Sequence, residues 1–410
     1  MPTSPLIAQR TPSVAIWRIL LAGMSASLVG IGLARFAYTP LIPPLIEAHW
    51  FAASSVVNLG AANLAGYLLG ALFCRSVAAR VGNVPALRAS MLAVTAAFLA
   101  CAFPLSEGWF FSWRLLSGVA GGAIMVLVAS TLLPHVPAAR RGLASGAIFL
   151  GLGMGIAGSG TLVPLLLELG LRETWIGLAA ISALVTGVSW FAWPQAGPEA
   201  HGAATAQTQQ RGTSSAGMGR FYVQYGLMAV GLVPAMVFLV DFVARGLHAG
   251  NRVGALFWLL YGLGAMLGPP SYGQLGDNLG ARGALKIALG LQFLAIGGLY
   301  VLHSLIVLAF MAVLIGSFPP GIVPLAIARV RELDPHSPAR QHAAWSRATT
   351  VFAASQALAG YAFSALFNAS GGDHRLLFLI SAGSIAMSFA LNFKQVAVQV
   401  DDHDASMPKA

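Results

Sequence analysis

Residues 253–282 of the 410-residue chain read VGALFWLLYGLGAMLGPPSYGQLGDNLGAR. The stretch begins with an uncharged apolar run, Val253–Pro270, which as a helix rises about 1.5 Å per residue and nearly matches the roughly 30 Å hydrocarbon core of a bilayer. It ends in a short polar stretch with one acid, Asp277, and one base, Arg282. This order is typical of a membrane-spanning helix followed by its connection to the next span.

The rest of the chain has the same character. Hydrophobic residues make up 57% of the sequence and charged residues 9%, whereas a soluble domain carries about 25% charged residues. This composition excludes a water-soluble protein and a disordered chain. Apolar runs from Val14 to Phe393 predict twelve spans, and therefore an all-α membrane protein with twelve transmembrane helices in two six-helix bundles.

The basic residues predict the orientation of the chain. Of the 23 Lys and Arg residues, sixteen lie on the side of the predicted N-terminus and four on the other side, while Arg35, Arg114 and Arg347 fall within spans. The positive-inside rule therefore predicts a multi-pass protein of the cell inner (plasma) membrane with both termini cytoplasmic. The net charge of +10 follows from this asymmetry, and because the basic residues are scattered singly we expect no nucleic-acid partner.

An internal repeat divides the chain into halves. A shift of 198 residues carries Gly66, Gly70, Gly82 and Gly118 onto the glycines at 264, 268, 280 and 316. The stretch Gln195–Gly219 has no apolar run and predicts a flexible cytoplasmic linker. We therefore expect a six-helix bundle at 1–194, a linker at 195–219 and a second bundle with a short cytoplasmic tail at 220–410. Parallel repeats place a binding site near the membrane midplane between the halves.

The stretch Gly273–Arg282 resembles the signature G-x-L-x-D-x-x-G-x-[RK] of the major facilitator superfamily. Its copy in the first half is degenerate, with Ala79 in place of the acid, although Arg80 and Gly82 are retained. Glycines permit a tight turn, and the carboxylate can cap a helix or pair with an arginine in one conformation only. The residues assigned to this gating role are Gly273, Asp277, Gly280, Arg282, Arg80 and Gly82. The alternative is a plain polar turn with a helix cap.

Three further stretches carry the same resemblance. Arg114-x-x-x-Gly118 is similar to the fourth-span motif, and Gly151–Gly160 is similar to the glycine-rich fifth-span motif, without its usual proline. Gly30–Leu41 resembles the YbfB/YjiJ subgroup. The resemblance implies a twelve-helix secondary transporter that works by alternating access, and not an enzyme. No cofactor or metal site is expected, because the sequence contains no CxxC, HExxH or P-loop motif.

Two arginines within spans are the main binding candidates. Arg35 lies 17 residues beyond Arg18, about 25 Å along a helix, and Arg114 lies at a comparable depth in the fourth span. In the superfamily, both spans line the central cavity. A buried guanidinium is costly unless it meets water or a partner, so the pair is predicted to bind an anionic substrate, most simply a carboxylate. The alternative is internal pairing with acids near the same face, which are Glu47, Glu107, Glu168 and Glu173.

Other residues are predicted to complete the site. Polar and aromatic side chains within spans are candidates for substrate contact, although their ordinary role is helix-to-helix bonding or packing. The substrate-binding candidates besides the two arginines are Tyr38, Phe149, Gln224, Tyr225, Phe318 and Gln356.

No acid lies clearly in the middle of a span, so the coupling candidates are acids near span ends: Asp241, Glu168 and Glu47. For Asp241 the alternative is a helix-end residue that balances Arg245. Protons are a candidate coupling ion, but coupling through the substrate's own proton, exchange and uncoupled transport stay open. The sequence therefore predicts a secondary active transporter of a small organic solute, favouring an organic anion, and the resemblance implies a monomer. The alternative is proton-coupled efflux of drug-like or toxic compounds.

Overall fold

The computed structural model describes residues 13–137, 141–194, 216–335 and 338–393. In this part of the chain every regular element is a helix. The first span, α1, runs from Ser13 to Glu47 in consecutive segments. The other helices of the first half are α2 (Ala53–Val81), α3 (Asn83–Cys101), α4 (Glu107–Leu132), α5 (Arg141–Leu167) and α6 (Leu171–Ser189).

The second half begins with α7 (Ala216–Asp241), which ends in a π-helical turn, Phe242–Gly246. A helical stretch Asn251–Val301 follows, and then α10 (Leu305–Leu333), α11 (Pro338–Ala369) and α12 (His374–Leu391). Residues 216–219, which the sequence placed in the linker, are therefore helical, while 195–215 lie outside the described residues.

Eleven of the described helices are long and apolar enough to cross a membrane. The stretch Asn251–Val301 has 51 residues and non-helical backbone at Gly280. As one helix it would be about 76 Å long, more than twice the thickness of a bilayer core. It therefore forms two spans, α8 (251–279) and α9 (281–301), and the bundle has the twelve crossings that the sequence predicts. We call the face where α1 begins and α12 ends the proximal face, and the opposite one the distal face.

The turns after α2 and α8 have the same geometry in both halves. Gly82 has φ 89° and ψ 153°, and Gly280 has φ 70° and ψ 160°. A positive φ is accessible to glycine at little cost, which explains why this residue type recurs at the 198-residue shift. One expectation needs correction. The predicted tight turn around Asp277 is not present, because the backbone is helical up to Leu279 and non-helical only at Gly280.

The repeat is also present in the helix packing. A Cβ built on Gly66 would collide with the carbonyl oxygen of Leu115, and one on Gly264 would collide with that of Val313, which is 198 residues further on. The α2–α4 contact of the first half therefore recurs as the α8–α10 contact of the second. Backbones approach this closely only where a side chain is absent, which is the usual device of membrane helix pairs.

The glycines of α5 serve two different neighbours. Gly151 and Gly155 pack against the backbone of α1 within the first half. Gly153 and Gly160 face α8 of the second half, and a Cβ on Gly160 would lie 2.6 Å from the backbone nitrogen of Leu259. The α5–α8 contact is thus a close, small-residue interface between the halves.

The first span is the most irregular helix. An α-helix, Ser13–Ser27, passes into a π-helical segment, Leu28–Leu33, and then into short segments Ala34–Phe36, Thr39–Leu41 and Ile42–Glu47. Prolines in the last two segments cannot donate backbone hydrogen bonds, and π-helical turns often occur at functional sites. Arg35 lies in the middle of this irregular region.

Candidate functional site

Arg35 connects the two halves of the protein. Its Nη2 donates a 2.7 Å hydrogen bond to Oε1 of Gln356 on α11. Gln356 is buried and lies thirteen residues from each end of Ala343–Ala369, the apolar part of its helix. The amide nitrogen of Gln356 lies 3.7 Å from the sulfur of Met236 on α7. A guanidinium of the first half and an amide of the second therefore meet near the middle of the bundle.

Aromatic rings surround this contact. The Arg35 guanidinium carbon lies 5.1 Å from the ring centroid of Tyr67, a distance that favours a cation–π interaction. Trp258 and Tyr261 of α8 stack with centroids 4.7 Å apart, and Trp258 lies 6.0 Å from the ring of Phe36, the neighbour of Arg35. Two buried polar atoms have no hydrogen-bond partner here, Nε of Arg35 and the hydroxyl of Tyr261. The site therefore retains donor capacity that the protein itself does not satisfy.

Arg114, on α4, contacts the same helix as Arg35 and is more deeply buried. It is 2% exposed, donates from Nη1 to the carbonyl oxygen of Ala34 at 2.9 Å, and lies 4.2 Å above the ring of Tyr38. The Tyr38 hydroxyl donates to the Val56 carbonyl at 2.7 Å. Asn63 of α2 bonds Ser117 at 2.9 Å and so fixes α2 against α4 beside this arginine. Arg114 thus anchors α1, while its Nε has no partner.

Both arginines line one cavity of about 20 Å³, with Tyr38, Asn63, Met236 and Val237 among its other walls. This volume suits about one water molecule. In this conformation the site is therefore closed around its polar groups, and an organic molecule would need the halves to separate.

Neither arginine has a carboxylate partner among the described residues, since the ion pairs there involve other cations. Glu47 accepts a 2.7 Å hydrogen bond from Asn251, and Glu168 approaches Arg252 only to 3.9 Å at an exposed position. The described structure therefore does not show the internal pairing that the sequence left open for Arg35 and Arg114.

The remaining predicted binding residues lie elsewhere. Gln224 donates to the Ser388 carbonyl at 3.0 Å and joins α7 to α12, as a helix-bonding amide would. Tyr225 packs on Phe352 with centroids 4.7 Å apart. Phe318 is buried against Tyr272 within the second half, and Phe149 is half-buried on α5. The structure thus brings Arg35, Tyr38, Arg114 and Gln356 together, but not these four.

Of the coupling candidates, Asp241 alone is buried. It accepts hydrogen bonds from Arg245, as the sequence alternative anticipated, and from Nε2 of His374 at 2.7 Å. His374 was not among the predicted residues, because nothing in the stretch before α12 indicates a partner 133 residues earlier. Glu47 and Glu168 are exposed.

The gating residues lie at the proximal face. Asp277 and Arg80 are exposed, and the described part of the structure shows no side-chain bond for either. Arg282 donates to the Asn392 carbonyl at 3.1 Å. The start of α9 is instead capped by Glu332 of α10, which accepts from the Ala281 backbone nitrogen at 2.7 Å. Glu332 was not among the predicted residues. The conformation-dependent contact assigned to Asp277 stays a prediction.

Polar contacts between the halves are unevenly placed. Besides Arg35–Gln356 they are Thr39–Met236 at 2.7 Å, Ser159–Trp258 at 3.0 Å, Glu47–Asn251 at 2.7 Å and Glu168–Arg252 at 3.9 Å. All of them lie at the level of Arg35 or nearer the distal face, among the residues that the structure describes. The halves are therefore tied together distally.

Comparisons with known proteins agree with this architecture. The crystal structure of a D-xylose-proton symporter superposes with a TM-score of 0.75 at 14% identity, covering 92% of this chain and 97% of that one. No curated protein matches the chain. The family model described as "Uncharacterised MFS-type transporter YbfB" matches residues 27–393. The chain therefore belongs to this family of the major facilitator superfamily, and is a multi-pass membrane transporter rather than an enzyme.

Proposed function

We propose that the protein is a secondary active transporter of a small organic anion, most simply a carboxylate, which it carries by alternating access. We propose that it acts as a monomer, which the location of the site between two halves of one chain supports. The observation that carries this proposal is the guanidinium of the half-buried Arg35, which meets a neutral amide of the other half and has no described carboxylate partner.

The free positions of Arg35 fit a carboxylate. Nε and Nη2 lie on one edge of a guanidinium and donate in parallel, which matches the two oxygens of a carboxylate. Here Nη2 is held by Gln356 and Nε has no partner. A carboxylate that replaced the Gln356 oxygen would satisfy both donors and neutralise the charge. Gln356 thus occupies the position of the cargo when the halves are closed on each other.

The basic residues orient this cycle. If the proximal face is cytoplasmic, as the positive-inside rule predicts, the distal contacts between the halves correspond to a carrier closed to the outside. Asp277, exposed in this state, can then form its contact at the proximal face when the carrier adopts the outward-facing state. The solved protein of similar fold is a proton symporter, and we extend proton coupling to this chain as part of the proposal.

Thermal unfolding of the purified protein tests the nature of the cargo. We expect small mono- and dicarboxylates to stabilise it, because a ligand at 100 times its Kd contributes about 2.7 kcal/mol. An Arg35→Gln variant should show a much smaller shift at the same ligand concentration. Stabilisation by cationic drug-like compounds alone would contradict the proposal and favour the efflux alternative.

A glycine substitution tests alternating access. Gly160→Ala should slow transport by about tenfold, since overpacking costs roughly 1–3 kcal/mol and the new methyl group meets the α8 backbone only when the distal side is closed. Gly158→Ala is the matched control, because its Cβ would meet only Leu162, at 3.9 Å. Initial rates in proteoliposomes check this. Equal transport by the two variants would show that α5–α8 closure is not part of the cycle.

A further inference from the structure

A buried cluster joins α7 and α12 at the distal face, away from Arg35. We infer that His374, held by Asp241, is the proton-binding group of the carrier, and that its protonation releases Arg245 toward Glu47 and strengthens distal closure. The inference rests on the carrier function and on proton coupling, but not on the nature of the cargo.

The geometry makes His374 and Arg245 competitors for one carboxylate. Asp241 is fully buried, and its Oδ2 lies 2.7 Å from both Nη2 of Arg245 and Nε2 of His374. Arg245 also donates from Nε to Oδ1. With a neutral imidazole, the cluster holds one cation and one anion. Protonation of His374 adds a second cation to the same carboxylate oxygen, which weakens the hold on Arg245.

The surroundings leave His374 few other charged neighbours. The rings of Phe238, Phe242 and Phe367 pack around it, with centroids 4.9–6.4 Å away. Asp373, on the same helix, is engaged with the backbone nitrogens that follow it. Within the described structure, the charged side chains facing His374 are therefore Asp241 and Arg245. The His374 side chain is 9% exposed and that of Arg245 is 30% exposed, so the cluster borders the distal surface, from which a proton can arrive.

A second acid lies at the same distal edge of the bundle. Glu47, at the end of α1 in the other half, accepts a hydrogen bond from Asn251 of α8, six residues beyond Arg245. An Arg245 side chain released from Asp241 therefore adds a tie between the halves at their distal edge. By linkage, a proton that favours closure is in turn bound more tightly by the closed state.

A purely structural cluster would hold α7 to α12 without responding to pH. Spin labels distinguish the two, without any substrate, in the full chain reconstituted in lipid nanodiscs. Leu105 and Ser304 suit the labels because they are exposed in distal loops of opposite halves and take no part in the contacts between the halves named above. The two buried cysteines, Cys74 and Cys101, are first replaced by alanine.

Distances are compared at about pH 5 and about pH 8, the limits between which an imidazole ordinarily changes charge. We expect the ratio of short to long distances to rise at least about fivefold at the lower pH, the lower limit of typical coupling between sites. His374→Gln, which keeps a donor for Asp241, should stay at the high-pH ratio at both pH values. Asp241→Asn, which removes the charge that holds Arg245, should show the low-pH ratio at both. His248→Gln is the matched control, an exposed histidine near the same end of α7, and should respond like the parent protein.

A parent protein without a pH response, or an unchanged response in His374→Gln that elutes as a monodisperse peak, overturns the inference. The carboxylate-induced thermal stabilisation should survive in His374→Gln. Its presence or absence in the parent protein reports on the anion proposal separately.

Discussion

Arg35→Gln is expected to reduce carboxylate transport by one to two orders of magnitude at subsaturating cargo while leaving a folded protein. The variant keeps a side chain that can bond Gln356, but it removes the cation and the side-on pair of donors. A hydrogen bond to a charged group contributes about 1.5–3 kcal/mol, so we expect cargo affinity to fall by roughly 10- to 100-fold. Arg35→Lys keeps the charge without the planar edge, and should fall between the two. Uptake and thermal shift with the same carboxylate measure both effects.

The matched control is Arg88→Gln. Like Arg35, Arg88 donates one hydrogen bond and lies over an aromatic ring, but its acceptor is the backbone carbonyl of Trp190, at 2.6 Å. Its contacts join α3 to the end of α6 within the first half, and not to the surface that faces the second half. Arg88→Gln should therefore change stability without changing the affinity for cargo. Equal transport by Arg35→Gln and the parent protein would show that Arg35 does not bind the cargo.

The fold was predictable because two independent patterns agree. The apolar runs indicated the number of spans, and a single shift of 198 residues aligned the glycines of the two halves. The structure repeats that shift in the carbonyl contacts of Gly66 and Gly264. Helix ends were less predictable. The eighth span was predicted to end at Pro270, but helix α8 continues to residue 279. Prolines persist inside membrane helices because neighbouring groups satisfy the freed carbonyls, and tertiary contacts of this kind leave no mark in the sequence.

The candidate site was predictable to the extent that charge within an apolar run is costly. That cost singled out Arg35 and Arg114, and the i, i+4 spacing indicated the pairing of Asp241 with Arg245. The partners contributed by distant helices were not predictable. Gln356 was one of several buried amides, and nothing in the sequence distinguished it from Gln224, which bonds a neighbouring helix instead. His374 and Glu332 lie at helix ends, where polar residues are ordinary.

The repeat also shows why the site is one-sided. The shift of 198 residues carries Arg35 onto Val233, Arg114 onto Ala312 and Asn63 onto Tyr261. The first half therefore supplies both cations, while the second supplies an amide and an unpartnered hydroxyl. An anion bound here would direct its charged end toward the first half and leave its remainder against the rings of the second.

Gln356→Glu is expected to block transport more completely than loss of the amide does. The new carboxylate would take the position that Gln356 Oε1 now holds, 2.7 Å from Nη2 of Arg35. A tethered anion competes at an effective concentration in the millimolar range or above, which few dissolved cargoes exceed. The ion pair would also join the halves across the midplane and favour the distally closed state. We therefore expect a higher Tm in the absence of ligand, no further shift with carboxylates, and no measurable uptake.

Two further variants separate this effect from damage to packing. Gln356→Met has a similar size and no charge, so it should release Arg35 and keep carboxylate-induced stabilisation. In an Arg35→Gln background, Gln356→Glu should no longer raise the Tm, because the gain depends on the pair and a double-mutant cycle isolates that term. Without Arg35 the buried glutamate has no cation opposite it, and the protein should become less stable than either single variant. A rise in Tm that persisted without Arg35 would mean that position 356 acts through another group, and Arg35 would then need a different anion.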